Sequence, residues 1–281
     1  MPPARVYLLT LLALVAFAAN SVLCRVALAH TGIDPGSFTA MRLASGALAL
    51  WLLARSRVAP AAGHGNWGSA LALFGYAAGF SYAYTSLPTG TGALLLFGAV
   101  QASMIGFGLF RGERLGRIQW AGWVFALSGM VALCLPGVSS APLSACLLML
   151  GAGVAWGVYS LRGRGVRDPI GATAGNFLRA SVLGLALVLA AIEPARWDAP
   201  GVACAVASGA LTSGMGYAIW YRALGGLRTG AAATVQLAVP VIAALAGIAL
   251  LGETLTPRLL WSSAAILGGI ALFLHAGRAT R

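Results

Sequence analysis

Apolar residues run through this chain in long unbroken stretches, separated by short connectors rich in arginine, glycine and proline. Ten stretches approach the roughly 20 residues that a helix needs to cross a bilayer: 6–29, 36–54, 67–87, 90–110, 118–136, 142–161, 171–192, 200–224, 229–251 and 257–276. Within them apolar and polar positions do not alternate at a period of two, so helices are predicted rather than a closed barrel. Hydrocarbon offers the backbone no partner, and a helix satisfies its own N–H and C=O groups segment by segment. The connectors are too short for an extramembrane domain. The predicted fold class is an all-α membrane protein of ten transmembrane helices.

Composition agrees with the pattern. The 281 residues are 59% hydrophobic and 9% charged, with a mean hydropathy of +0.87, where soluble domains carry about 25% charged residues. The first stretch could be a cleaved signal, since Arg5 precedes an apolar run and Ala16-Phe17-Ala18 resembles a cleavage site. Its counterpart at 142–161 favours retention as a first membrane helix. The "SVLC" that ends at Cys24 also lacks the small residue that a lipoprotein signal places before its cysteine.

Cys24, Cys134, Cys146 and Cys204 lie in or beside apolar stretches without CxxC spacing, which indicates neither a zinc site nor a disulfide framework. His30, His64 and His275 are scattered near predicted helix ends. No metal and no cofactor is expected, and the absence of lysine excludes a Walker-type phosphate loop.

The net charge of +12 would suggest nucleic acid in a soluble protein, but here the arginines sort by membrane face. With the amino terminus cytoplasmic, the inner connectors and termini hold Arg5, Arg55, Arg57, Arg111, Arg114, Arg117, Arg162, Arg164, Arg167, Arg228, Arg278 and Arg281, against Arg196 and Arg258 outside. That asymmetry predicts both termini in the cytoplasm of a multi-pass inner-membrane protein, and no nucleic-acid partner. Asp34, Glu193, Asp198 and Glu253 fall outside.

The two halves of the chain match in order. Ala18 in "AANSV" pairs with Trp156 in "WGVYS" at an offset of 138, Arg42 with Arg179 at 137, Tyr82 with Tyr221 at 139, and Glu113 with Glu253 at 140. The four pairs point to a duplication, with repeats at 1–139 and 140–281. Five spans per repeat is an odd number, so the second copy enters the membrane from the opposite side and the repeats are inverted. This explains why "FRGERLGR" at 110–117 becomes "LLGETLTP" at 250–257: arginine is favoured in the cytoplasm and counter-selected outside. Both Gly-Glu pairs read as helix-end chemistry, the glycine ending one helix and the glutamate favouring the amino terminus of the next.

The duplicated halves, Arg42 and Arg179 early in the second helix of each, Trp156-Gly157 in the sixth, Gly-Glu-x-Leu after the fourth and ninth, and Pro240 in the ninth together resemble the drug/metabolite transporter superfamily, specifically its EamA-type ten-helix members. The resemblance spans essentially the whole chain. Size, aromatic content and the lack of a soluble appendage are similar to its YddG-type exporters of aromatic amino acids. Two departures, Gln101 where the second half has Pro240 and Ala18 where it has Trp156, leave open whether both halves contribute equally to a binding cavity.

Inverted-repeat transporters place solute near the midplane, so the candidate site is assembled from aromatic and polar residues near span centres. Tyr76, Phe80 and Tyr84 share one face of the third helix, and the eighth offers Tyr217 and Tyr221 one turn apart beside Trp220. Asn20, Phe97, Gln101, Trp156, Tyr159 and Gln236 complete the set. Helix packing or an interfacial belt is the other reading of the aromatics, and interhelical bonding that of the amides. Arg42 and Arg179 are candidates for gripping a substrate carboxylate, against snorkelling or bonding to nearby carbonyls. Gly75/Gly79 and Gly153/Gly157 predict close helix approach.

The expected function is secondary export of small amphipathic metabolites, above all aromatic or neutral amino acids, by alternating access between the repeats. Export of other metabolites or drugs by proton antiport is the alternative. The spans lack central carboxylates, Asn20 standing in the first, so facilitated or weakly coupled export of a zwitterion is expected over antiport of a cation. A membrane-embedded enzyme is the remote alternative, and its best cluster, His30, Thr31 and Asp34, reads as a turn. The expected partners are a small-molecule solute and the bilayer. Oligomeric state is left open, a monomer being one reading.

Overall fold

A computed structural model describes residues 3–55, 65–135, 142–164, 166–191, 194–227 and 235–279. Arg57, His64, Glu193, Arg228 and Arg281, the side chain of Arg278, the repeat boundary at 139/140 and the first part of the ninth predicted span lie outside the described residues. The described residues form ten helices and no strand: α1 Pro3–His30, α2 Pro35–Arg55, α3 Trp67–Tyr84, α4 Thr89–Phe110, α5 Arg117–Cys134, α6 Leu143–Arg162, α7 Pro169–Leu189, α8 Ala199–Leu224, α9 Ala238–Leu251 and α10 Pro257–Ala279. Eight are long and apolar enough to cross a membrane. The others are the shorter apolar α9 and the 18-residue α3, whose glycines, serines and tyrosines dilute its hydropathy.

Helix ends follow local chemistry. Asn66 and Asp198 cap α3 and α8 through Ser69 N and Gly201 N, satisfying N–H groups that have no partner within the helix. Proline opens α2, α7 and α10, where its missing N–H costs nothing. Gly112 after α4 and Gly252 after α9 adopt φ of 89° and 64°, a left-handed conformation that a side chain would strain. Both glycines of the repeated Gly-Glu motif therefore end helices as predicted.

Two spans depart from the prediction. Ala207–Met215 within α8 is a π-helix, a distortion common at functional sites and invisible to a hydropathy pattern. Gln236 lies in a turn before α9, not mid-helix, and Val239 N donates to its carbonyl at 3.0 Å.

The helices pack so that the halves exchange. α6 lies against α3 and α4, while α1 lies against α8 and α9. α2 pairs with α7, α4 with α9, and α5 with α10. At the α5/α10 contact Gly129 abuts Ile266 and Gly269 abuts Ala126, and adding 140 to the first-half members turns one contact into the other. The α5/α10 contact therefore repeats at the offset that relates Glu113 to Glu253. Glycine permits the closest approaches, as the sequence predicted: Gly79 faces Ala152 of α6, and Gly153 faces Ala99 of α4.

Candidate solute cavity

A cavity of about 540 Å³ opens among α1, α3, α4, α6, α7 and α8, within the size range of small-molecule sites. Of the residues proposed from sequence, Asn20, Tyr76, Phe80, Phe97 and Gln101 line it from the first half. Trp156, Tyr159, Tyr217, Tyr221 and Gln236 line it from the second. The aromatic stripes of separate helices meet here. The Trp156 ring lies 4.8 Å from Tyr76, 5.3 Å from Tyr159 and 5.2 Å from Tyr217 between centroids. Phe17 of α1, which the sequence offers only within a possible cleavage site, joins at 5.8 Å from Tyr217. These separations are those of favourable aromatic pairs.

Tyr84 does not line the cavity. It is fully buried, packs edge-on against Phe80 at 4.7 Å and donates to Thr89 O at 3.1 Å, which joins the end of α3 to the start of α4. The nearby end of α1 supplies partners that hold it in the core, neither at a belt nor on a wall.

The polar floor centres on Asn20. Its Nδ2 donates to Tyr76 Oη at 3.3 Å, and its Oδ1 accepts from Ser208 Oγ at 2.7 Å and Thr212 Oγ1 at 3.2 Å. One amide thus ties α1 to α3 and to the π segment of α8. Ser208 and Thr212 were missed because their only sequence signal is two hydroxyls one turn apart in an apolar run. Gln101 and Gln236 make no side-chain hydrogen bond among the described residues, so their amides face the cavity unspent.

Arg42 is 1% exposed and does not snorkel. Its Nη2 donates to Tyr76 Oη at 2.9 Å, and its guanidinium lies 5.1 Å and 4.9 Å from the ring centroids of Tyr76 and Phe80. Tyr76 and Phe80 line the cavity and Arg42 does not. Arg179 is half-buried, donates to Gly175 O at 2.9 Å and approaches the Trp67 ring at 5.9 Å. It does not line the cavity, and its carbonyl bond is the structural alternative read from sequence.

The mouth lies at the face where α1 starts. Arg162 donates from Nε to Ser69 Oγ at 3.1 Å and from Nη2 to Asn66 Oδ1 at 2.9 Å, and Asn66 N donates to Asn176 Oδ1 at 2.8 Å. Arg162 and Arg164 are the only charged residues among those that line the cavity. Sequence reading had counted both only as topology signals.

On the opposite face the two halves are tied together by hydrogen bonds. Glu253 accepts from Thr89 N at 2.8 and 2.9 Å and from Thr89 Oγ1 at 2.9 Å, and Arg25 approaches it at 3.7 Å. Arg25 also donates to Tyr84 O and Thr85 O. Glu253 therefore caps α4 of the other half and not the next helix, whose Leu259 N donates to Thr256 Oγ1 at 3.1 Å. Two loops are stitched beside this tie. Asp34 accepts from Ser37 N and Arg196 N, both at 2.8 Å, and Asp198 accepts from Gly32 N at 2.9 Å. Burial pushes the Asp34 carboxyl up, but hydrogen bonds from Ser37, Arg196 and Gly36 outweigh it and hold it below the ordinary value. The Gly32 N–H chiefly depresses Asp198.

A model of the EamA-like transporter family matches residues 143–275, α6 to α10. An uncharacterized protein of Pseudomonas aeruginosa, PA1977, is 56% identical over 100% of this chain and 99% of its own length. The chain belongs to the EamA-like transporter family. As an EamA-like transporter it is a multi-pass membrane protein, and the matched segment carries Trp156, Tyr159, Tyr217, Tyr221 and Gln236 of the cavity wall. The threonine/homoserine exporter RhtA of Escherichia coli K12 is 32% identical over 164 residues, 57% of this chain and 55% of RhtA. A crystal structure at 23% identity superposes with a TM-score of 0.68 over 98% of this chain and 99% of the other, and shares the fold.

Proposed function

We propose that this EamA-like transporter is a secondary exporter of small amphipathic metabolites, aromatic or neutral amino acids first among them, working by alternating access through the cavity between two inverted five-helix repeats. The observation that carries this is the character of the cavity: aromatic walls, a polar floor and a mouth whose only charges among the described residues are Arg162 and Arg164. An apolar side chain would lie against Trp156 and Tyr217, while the amides of Asn20, Gln101 and Gln236 would meet the polar end of the solute. The 32% identity to a threonine/homoserine exporter supports amino acids as the class. The ring ladder favours aromatic members of it.

The arginine asymmetry of the sequence assigns the mouth to the cytoplasm of the inner membrane, so the conformation is inward-open. Release outside then requires parting Glu253 from Thr89 and Arg25, and separating the Asp34 and Asp198 loops. Proton antiport through a buried carboxylate has no carrier among the lining residues. A lining without a carboxylate among the described residues suits a zwitterion over a cation.

Counterflow of labelled tryptophan, tyrosine and threonine into proteoliposomes tests the reading. Saturable counterflow is expected, slowed about tenfold or more by Trp156→Ala, a loss of about 1.4 kcal/mol or more. An imposed pH gradient should leave the rate nearly unchanged. Failure to exchange any amino acid, or strong acceleration by the gradient, contradicts it.

A further inference from the structure

Tyr76 Oη lies where the cavity wall meets the core, and both its neighbours there are donors. Arg42 Nη2 gives it one N–H at 2.9 Å and Asn20 Nδ2 another at 3.3 Å. A guanidinium has no acceptor, and Asn20 turns its acceptor oxygen towards Ser208 and Thr212. The phenol oxygen therefore only accepts in these bonds, and its own proton is given to none of the described residues. Because the Tyr76 ring lines the cavity, that proton is the donor left for a solute.

The cation behind it has no counter-ion among the described residues. Among the described residues, Arg42 Nε and Nη1 are buried without a hydrogen-bond partner. Among the described residues the guanidinium forms no ion pair, and the Tyr76 and Phe80 rings it lies against belong to the cavity wall. An unpaired buried charge is costly, and a cavity bound by a positive core and a positive mouth offers an anionic group the best place to offset it. A hydroxyl polarised by a guanidinium makes a stronger bond to a carboxylate than to a neutral acceptor.

We infer that Tyr76 is the donor that reads a carboxylate in this cavity, and that Arg42 is a positioning residue acting through it, so that the site prefers carboxylate-bearing solutes over their neutral or cationic analogues. This rests on the cavity being the solute site proposed above. Arg42 does not grip the solute in bidentate fashion. It holds the Tyr76 hydroxyl in place and strengthens it.

The test is binding to the purified full-length protein in nanodiscs, read by tryptophan fluorescence, with two ligand pairs: phenylacetate against phenylacetamide, and phenylalanine against phenylalaninamide. The wild type is expected to bind each acid about tenfold or more tighter than its amide. Tyr76→Phe should lower affinity for the acids much more than for the amides, and so should Arg42→Met. Arg42→Lys, which keeps the charge, should restore part of the preference. Measurable amide binding by a variant shows that it is folded. A preference for acids that survives in Tyr76→Phe overturns the inference, as does equal binding of acid and amide by the wild type, and either leaves the cavity as solute site intact. If the wild type binds neither pair, the cavity reading itself falls.

Discussion

Asn20 shows how much a single residue can carry in a hydrocarbon environment. It is 6% exposed and bonded to Tyr76, Ser208 and Thr212. Asn20→Ala leaves the Ser208 hydroxyl without its acceptor, at a cost of about 1 to 3 kcal/mol for the unsatisfied group. Thermal unfolding in detergent should show the loss. Ser128→Ala, which removes only an exposed hydroxyl bonded to Phe125 O in its own helix, should change stability by no more than about 0.5 kcal/mol. Equal effects of the two substitutions contradict the assignment. Arg42 and Arg179 make the complementary point. They match in the sequence at an offset of 137, yet one bonds to Tyr76 in the core and the other reaches a carbonyl of its own helix. Sequence identifies both as membrane arginines. Which neighbour each meets depends on α3, whose middle faces Arg42 and whose start faces Arg179.

Among the helices, α8 is the one whose local geometry most directly shapes the cavity. Its π segment presents Ser208 and Thr212 to Asn20 while Gly209 takes the backbone of α2. A methyl group at Gly209 would collide with the Arg42 carbonyl and the Ser45 hydroxyl, the former unable to step aside. Gly209→Ala should therefore destabilise the protein by about 1 to 3 kcal/mol and displace Arg42. A Cβ at Gly151 meets nothing within 4 Å, so Gly151→Ala in α6 should be neutral or stabilising by a few tenths of a kcal/mol. Melting curves of the pair decide whether helix contact or chain flexibility sets the cost. Hydropathy placed α8 correctly but was silent on its π turn, since a widened turn changes neither length nor apolar content.

At the scale of the whole molecule, the cavity reaches the face that bears Arg162 and Arg164, while hydrogen bonds tie the halves together at the other. In a background lacking the four native cysteines, a cysteine at Gln101 should react with an impermeant maleimide from the face bearing the amino terminus, and not from the opposite face. Glu253→Gln weakens the hold on Arg25 and on the amino terminus of α4, and should add reactivity from the opposite face. Labelling confined to the opposite face in the parent protein would reverse the proposed orientation of the cavity.

The Asp34 and Asp198 loops give that tie a pH dependence. Both carboxyls are held below the ordinary aspartate value of 3.8. Their contribution is complete above the unfolded value and is lost as pH falls through the lower folded values. Melting temperature should be insensitive to these loops between pH 7 and about pH 5, and fall below about pH 4. The acid-side fall should be shallower in Asp34→Asn.

The sequence by itself determined what depends on solvation. Ten apolar stretches dictated ten helices, because backbone in hydrocarbon has no other economical partner, and the offset of about 140 residues paired Glu113 with Glu253 and Arg42 with Arg179. It also named ten residues of the cavity wall, since amides and aromatics at span centres have few other places to go. The tertiary structure alone decided which helix each side chain meets. It placed Tyr84 in the core, gave Glu253 to α4 instead of α10, turned Gln236 out of the ninth helix and set a guanidinium behind Tyr76. Those outcomes rest on contacts between residues far apart in the chain, which the order of amino acids within one helix does not encode.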